Sequence, residues 1–234
     1  MLDRTPPQFP PFAVTVDLVV LAVASSTVQV LLVRRDTEPF AGQWSLPGGF
    51  VGVEQDLEDA ARSKLEAKTG VALARTHFEQ LATFGRPDRD PRMRTVSVVY
   101  LALVAERFEP VVAADAPPAA WTDIASARAR SLAFDHDEIL SGGVARLAAK
   151  LEYTTLATAL CPPTFTIAVL RSVYDTVWGV ELDPANFHRK VMATTGFVEP
   201  TGEQIVAGAG RPAKLYRPGS AELLNPPLQR PTDE

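Results

Sequence analysis

The chain has 234 residues, 46% hydrophobic and 22% charged, with a formal net charge of −5 and a pI near 5.3. That balance suits one large or two modest folded domains and excludes wholesale disorder; no stretch reaches the roughly 18 consecutive apolar residues of a membrane span. The single cysteine, Cys161, excludes an intramolecular disulfide and a multi-cysteine zinc site. The first residues lack the charged-then-apolar order of a signal peptide, so the expected compartment is the cytoplasm.

Proline groups punctuate the chain. Pro6, Pro7, Pro10 and Pro11 mark residues 1–11 as an extended arm, and Pro117-Pro118 and Pro162-Pro163 mark loops. Pro226, Pro227 and Pro231 fall in a polar tail, 219–234, expected to be disordered. Between these, 13–24 and 28–35 are Val/Leu-rich runs joined by Ser25-Ser26-Thr27, the pattern of a hairpin. A helix is expected over 57–69, with Asp56 as its cap, Gly70 as its stop and Leu57, Ala60, Ala61 and Leu65 as its apolar stripe. Strands follow at 78–84 and 94–105, which points to an α+β sandwich.

After Trp121 the pattern turns helical. Leu140, Val144, Leu147 and Leu151 share a face over 137–151, and Leu170, Val173, Tyr174, Val177 and Trp178 do so over 166–178, before Gly179. A third helix starts at Asp183-Pro184, a cap followed by proline at the first helical position, and runs to about 195. Two short strands, 203–207 and 213–217, flank a glycine-containing loop. Helices followed by a basic hairpin are the parts of a winged helix-turn-helix. The domain division read from this order is 12–150 and 151–218.

The segment from Gly48-Gly49-Phe50 through Thr69-Gly70-Val71 resembles the Nudix box, whose glycine loop leads into a helix carrying clustered carboxylates. Those carboxylates hold Mg²⁺ ions that polarise a nucleoside diphosphate and activate water. Anchored on Gly49 and Gly70, the loop, helix length and stop match, but the chemistry does not: the acidic position after the loop is Gln55, the arginine is Ser63, and the three helical carboxylates are Lys64, Ala67 and Lys68. Two ammonium groups on that face repel a divalent cation. No catalytic residue and no metal ligand is assigned, Mg²⁺ is not expected, and Lys64 and Lys68 stand as candidate countercharges to a bound pyrophosphate or as solvated helix-face residues.

The second constellation is basic. Between 186 and 218 the charged residues are Arg189, Lys190, Arg211, Lys214 and Arg217 against Glu199 and Glu203, a local positive excess on an acidic chain. On the third helix Phe187 and Val191 lie inward, leaving Asn186, His188, Arg189 and Lys190 on the N-terminal half that meets base edges in helix-turn-helix proteins. Asn pairs with adenine and Arg with guanine, whereas Lys more often finds phosphate. Arg211, Lys214, Tyr216 and Arg217 belong to the wing, which would follow the DNA backbone or reach into the minor groove.

Both halves together resemble the Nudix-related transcriptional regulators, the NrtR family. The resemblance rests on 39–51, 79–85, Asp88-Arg89-Asp90-Pro91-Arg92 with 97–100, 132–140, 186–190 and 210–217. It implies a Nudix α/β/α sandwich followed by a winged helix-turn-helix, assembled as a homodimer on a double-stranded DNA operator with dyad symmetry. It also implies repression of NAD-metabolism genes at the nucleoid, no membrane partner, and release by ADP-ribose or a related NAD-derived nucleotide, with no other cofactor. The alternative is a Mg²⁺-dependent ADP-ribose or ADP-sugar pyrophosphatase. Arg34 and Arg35 are candidates to pair with the effector's phosphates or stack on its base, alongside Gly49 and Phe50 of the glycine loop. Trp44 and Phe84 are candidates to sandwich the base or else belong to the core. Arg89 and Arg92 would clamp the pyrophosphate or pair with Asp88 and Asp90. His136, between Asp135 and Asp137, reads as a capping and hinge group.

Overall fold

A computed structural model describes residues 11–69, 77–110, 118–206 and 212–231. Strands β1 (Ala13–Ala24) and β2 (Thr27–Arg34) form the expected hairpin, with Leu21 opposite Val30 and Ala24 opposite Thr27. The short strands β3 (Trp44–Ser45) and β4 (Gly48–Phe50) precede helix α1 (Leu57–Thr69), where the Asp56 carboxylate accepts from the Glu58 N–H. Strands β5 (His77–Phe84) and β6 (Thr95–Val104) follow, then β7 (Ala119–Asp123) and α2 (Ile124–Ala129), neither of which the sequence reading separated. The strands make one sheet in the order β3-β2-β1-β6-β5, with β4 pairing β1 and β7 pairing β2. The long β1–β6 pairing is parallel and the others antiparallel.

Alternation along β1 divides the core. Val16, Leu18, Val20 and Ala22 pack with Ala60, Ala61 and Leu65 of α1, while Val19 and Leu21 face the opposite way. That second face takes α3 (His136–Tyr153), whose Gly143 approaches so closely that a Cβ there would lie 2.7 Å from Val19 Cγ1.

The same core continues without a break into the second half. Leu147 and Leu151 of α3 join Leu160 and Cys161, which end a 3-10 turn, and then Leu170, Val173, Tyr174 and Trp178 of α4 (Ile167–Trp178). Phe187 and Val191 of α5 (Pro184–Ala193) complete it. The expected boundary at 150/151 falls inside α3, because this helix supplies apolar side chains to both halves. Strands β8 (Val198–Ile205) and β9 (Ala213–Pro218) form the hairpin after α5; β8 starts well before the expected 203. Two expected local signals held: Gly179 ends α4 at φ +69°, and Asp183 caps α5 by accepting from Asn186 N–H ahead of Pro184, while Thr166, expected as the first helical residue, caps α4 by accepting from Val169 N–H.

The tail is a correction. Leu224 and Leu228, expected in a disordered segment, are buried in the common core. Leu224 N–H donates to the Tyr153 carbonyl at 2.9 Å, Leu228 N–H to Glu152 at 2.7 Å, and the Arg230 guanidinium to the Trp178 carbonyl at 3.0 Å. Proline in this segment limits the entropy lost on ordering, and the two leucines repay it by burial. The expected arm and the stop residue Gly70 fall on residues outside those described, apart from exposed Pro11. No helix among the described residues is long and apolar enough to cross a membrane.

Candidate functional site

Where β1, β2 and β4 converge with the start of α3, the sheet opens into a polar cleft of about 760 Å³, its mouth included. Close backbone approach shapes its floor: a Cβ on Gly48 would lie 2.2 Å from Asp17 Oδ1, so only glycine lets β4 pair with β1 there. Asp17 is itself buried, accepts a hydrogen bond from the Ser97 hydroxyl, and lies 3.7 Å from Nε2 of buried His136. His136 Nδ1 accepts the Leu46 N–H at 2.9 Å, which places any ring proton on Nε2, toward Asp17. Burial lowers the pKa of this imidazole. The expected hinge histidine is thus a buried strut joining α3 to the strand-edge loop. Thr15 Oγ1, on the same wall, has no hydrogen-bond partner among the described residues.

The arginines divide by partner. Arg89 is buried and donates two parallel hydrogen bonds to Asp135, from Nε at 2.9 Å and from Nη2 at 2.7 Å, with Asp17 at 3.8 Å. It is neutralised in place, which corrects the reading of Arg89 as a pyrophosphate clamp or as the partner of Asp88 or Asp90. Arg92 does pair with Asp90, again through two hydrogen bonds, and its guanidinium stays partly exposed. Burial alone would raise the Asp90 pKa; hydrogen bonds and charge from Arg92 outweigh it and hold the carboxyl below its usual range. Arg34 Nε donates to the Gly42 carbonyl, while Arg35 donates to the carbonyls of Pro39 and Thr37.

Arg35 carries no carboxylate within salt-bridge distance among the described residues; desolvation first, then Arg92, lowers its pKa. Lys68 also lines the cleft, and its pKa falls mainly through desolvation, with Arg35 and Lys64 adding to the fall. An entering anion would stabilise the charged form of both groups. Of the ten expected effector residues, Arg34, Arg35, Gly49, Phe50, Lys68, Arg89 and Arg92 line this cleft. Trp44, Lys64 and Phe84 do not. Trp44 and Phe84 pack against the core and form no sandwich, and the Lys64 methylenes lie along Gly49, where a Cβ would meet them at 3.4 Å. Sequence reading missed Phe134, whose ring is covered by Arg35 and approached by Arg92; its signal, an aromatic between two anchored residues, is visible only in three dimensions.

The Nudix-box substitutions fit one another. Gln55 Nε2 donates to Ser63 Oγ at 3.0 Å and Gln55 Oε1 accepts from Gly52 N–H, a neutral bond at two positions that the motif fills with charged side chains. No group of three or more His, Cys, Asp or Glu among the described residues is placed to hold a metal ion. On this face Gln55, Lys64, Ala67 and Lys68 stand where the motif places acidic side chains.

At the opposite end, α5 buries Phe187 and Val191 and exposes Asn186, His188 and Arg189, with Lys190 half-buried. The Arg189 guanidinium donates to Asn186 Oδ1 at 2.7 Å, linking the two candidate base-reading groups. A groove beside His188 is walled by Thr166, Ile167 and Ala168 of α4 and by Lys214 and Tyr216 of β9. Tyr216 is a correction: it is buried, and its backbone exchanges N–H···O bonds of 2.8 and 2.9 Å with Phe165, making it a core residue beneath the hairpin. Lys214 is exposed, Arg217 is exposed but paired with Glu199 at 3.0 Å, and Arg211 lies outside the described residues.

Residues 11–142 match the NUDIX domain family, and 157–217 match the NrtR DNA-binding winged helix domain. Over 211 residues the chain is 37% identical to the ADPR responsive transcriptional repressor NtrR of Acinetobacter baylyi, covering 89% of this chain and 83% of that one. The chain belongs to the NrtR family. Shewanella oneidensis NrtR complexed with a 27mer DNA superposes with a TM-score of 0.80 at 30% identity, over 92% of this chain and 99% of that one. The NUDIX domain of the same NrtR complexed with ADP ribose matches at 33% identity and TM-score 0.56, over 62% of this chain and 94% of that one. An NrtR fold thus accounts for both ends of the molecule, the polar cleft of the Nudix domain and the exposed face of α5.

Proposed function

We propose that this chain is a DNA-binding transcriptional repressor of NAD-metabolism genes that ADP-ribose, or a related NAD-derived nucleotide, releases from a dyad-symmetric operator. The observation that carries the reading is one continuous core joining an anion-seeking cleft to a winged helix with exposed Asn186, His188 and Arg189. Likeness along nearly the whole chain to a relative crystallised on DNA supports the DNA half, and likeness to a Nudix domain holding ADP ribose supports the effector half. The protein acts in the cytoplasm as a homodimer whose two α5 helices reach half-sites about one helical turn, roughly 34 Å, or a multiple of it apart.

Arg34, Arg35, Arg92 and Lys68 serve the effector's diphosphate, Gly49 and Phe50 shape the entrance, and no metal accompanies the ligand. Replacement of the acidic box positions by Gln55, Lys64, Ala67 and Lys68 supports a receptor that keeps its ligand intact, since a divalent cation finds no carboxylate cage there. Asn186, His188 and Arg189 read bases, while Lys190, Lys214 and Arg217 meet phosphates. The test is a gel shift of the purified protein on its own upstream DNA, with and without ADP-ribose and Mg²⁺. A specific shift reversed by ADP-ribose alone is expected; Mg²⁺-dependent cleavage of ADP-ribose without any shift would favour the pyrophosphatase.

A further inference from the structure

Two phenylalanines of the cleft region hold backbone conformations that side chains of their size rarely adopt: Phe40 at φ +68° and Phe134 at φ +59°. Contacts of Cβ with the backbone disfavour this region for every L-residue, so the surroundings must impose it. The two rings meet edge to face with centroids 4.8 Å apart. The Arg35 guanidinium lies 4.7 Å from the Phe134 centroid and that of Arg92 5.7 Å from it, so one aromatic ring is approached by two cations of the cleft.

The residues on either side of Phe134 are tied down. Ala133 N–H donates to the Trp44 carbonyl at 2.8 Å, Asp135 is gripped by Arg89, and His136 is fixed by Leu46 N–H. Phe134 is the one of the four whose ring meets Arg35 and Arg92. Immediately after it, α3 runs 18 residues, roughly 27 Å at 1.5 Å per residue. Toward its far end the Trp178 indole N–H donates to the Ala148 carbonyl, and Leu224 N–H to Tyr153. A single helix therefore links the Phe134 turn to the contacts that seat α4 and the tail.

We propose that Phe134 is the positioning residue that reports occupancy of the cleft to the DNA-binding half. The proposal rests on the reading above that the cleft takes a nucleotide diphosphate. A diphosphate drawing Arg35 and Arg92 toward itself lifts both guanidinium groups from the Phe134 ring. The left-handed turn, no longer clamped, then resets the first residues of α3. A ligand shifts a conformational equilibrium only by its differential affinity for the two states, and these cation–ring contacts are the differential.

The experiment uses the full chain and three variants, Phe134→Leu, Phe134→Gly and Phe134→Tyr. Titration calorimetry gives the Kd for ADP-ribose, and fluorescence anisotropy gives the Kd for upstream DNA without and with saturating ADP-ribose. In Phe134→Leu the ratio of the two DNA constants is expected to drop at least about fivefold, while DNA affinity without ligand stays within about tenfold of the parent and ADP-ribose still binds. Phe134→Gly, which accepts the left-handed backbone without strain, is expected to lose the ratio equally, and Phe134→Tyr, which keeps the ring, to retain it. An unchanged ratio in Phe134→Gly or Phe134→Leu overturns the proposal, as does loss of ADP-ribose binding or of DNA binding together with the ratio. A parent chain that ADP-ribose fails to release from DNA overturns the functional reading itself, and the Phe134 role with it.

Discussion

The cleft and the α5 surface use charge in opposite ways. Around the cleft, Arg89, Asp135, Asp17 and His136 are buried and satisfied by one another, so their charges hold α3 against the sheet while Arg35 and Lys68 line the open cleft. On α5, Asn186, His188 and Arg189 are exposed around two buried apolar anchors, and Asn186 and Arg189 hydrogen-bond to each other. In the first region most charged groups build the site and few are left to bind; in the second the fold is built by apolar side chains and the polar groups are left for a partner. Residue type therefore tells which side chains stay exposed far better at α5 than at the cleft.

The sharpest way to break this comparison is Arg89→Met. Removing one member of a buried, doubly hydrogen-bonded pair leaves Asp135 unpartnered and should cost about 3–5 kcal/mol, read as a lowered urea midpoint. If stability is unchanged and only ligand affinity falls, Arg89 is a binding residue after all. The α5 side is tested by Arg189→Ala, expected to lower discrimination between operator and random DNA by about 1–3 kcal/mol. Lys214→Ala should instead weaken both DNAs alike and reduce the salt slope by about one.

Lys68 tests whether the unpaired charges lining the cleft differ from the structural ones. Its lowered pKa means that an anion must draw a proton back onto the amine as pH rises, so ADP-ribose affinity should decline in alkaline buffer, starting below the ordinary lysine value of 10.5. The sign follows from binding the charged form: affinity is full below the free-state pKa and is lost above it. Lys68→Ala should weaken binding by about 1.5–3 kcal/mol and flatten that alkaline limb in calorimetric titrations. The smallest effect belongs to Arg217→Ala: its exposed pair with Glu199 should contribute about 0–1 kcal/mol to stability, so a larger loss in thermal denaturation would assign Arg217 a structural role.

Much of the molecule was legible in one dimension because its signals are local. The Asp183 cap, the Gly179 stop and the inward Phe187 and Val191 depend on neighbours within a turn or two, and each stands where spacing put it. The tail failed for the opposite reason: its prolines and polar residues predict disorder locally, but Leu224 and Leu228 find a distant apolar surface on the α3–α4 junction. Trp44 and Phe84 failed likewise, since an aromatic that packs inward and one that stacks on a base look alike in sequence.

From the order of its side chains alone this protein determined a strand-rich first half and a helical second half, a glycine loop without its acidic cluster, and an amphipathic basic helix. These follow from periodicity, capping and charge, which act over a few residues. Only the folded chain decided which arginine is neutralised, that α3 serves both halves, and that the Phe134 ring lies next to two cations. Those outcomes depend on which groups 40 to 90 positions apart are pressed together, as Arg89 is to Asp135 and Leu46 to His136, and on which are thereby removed from water.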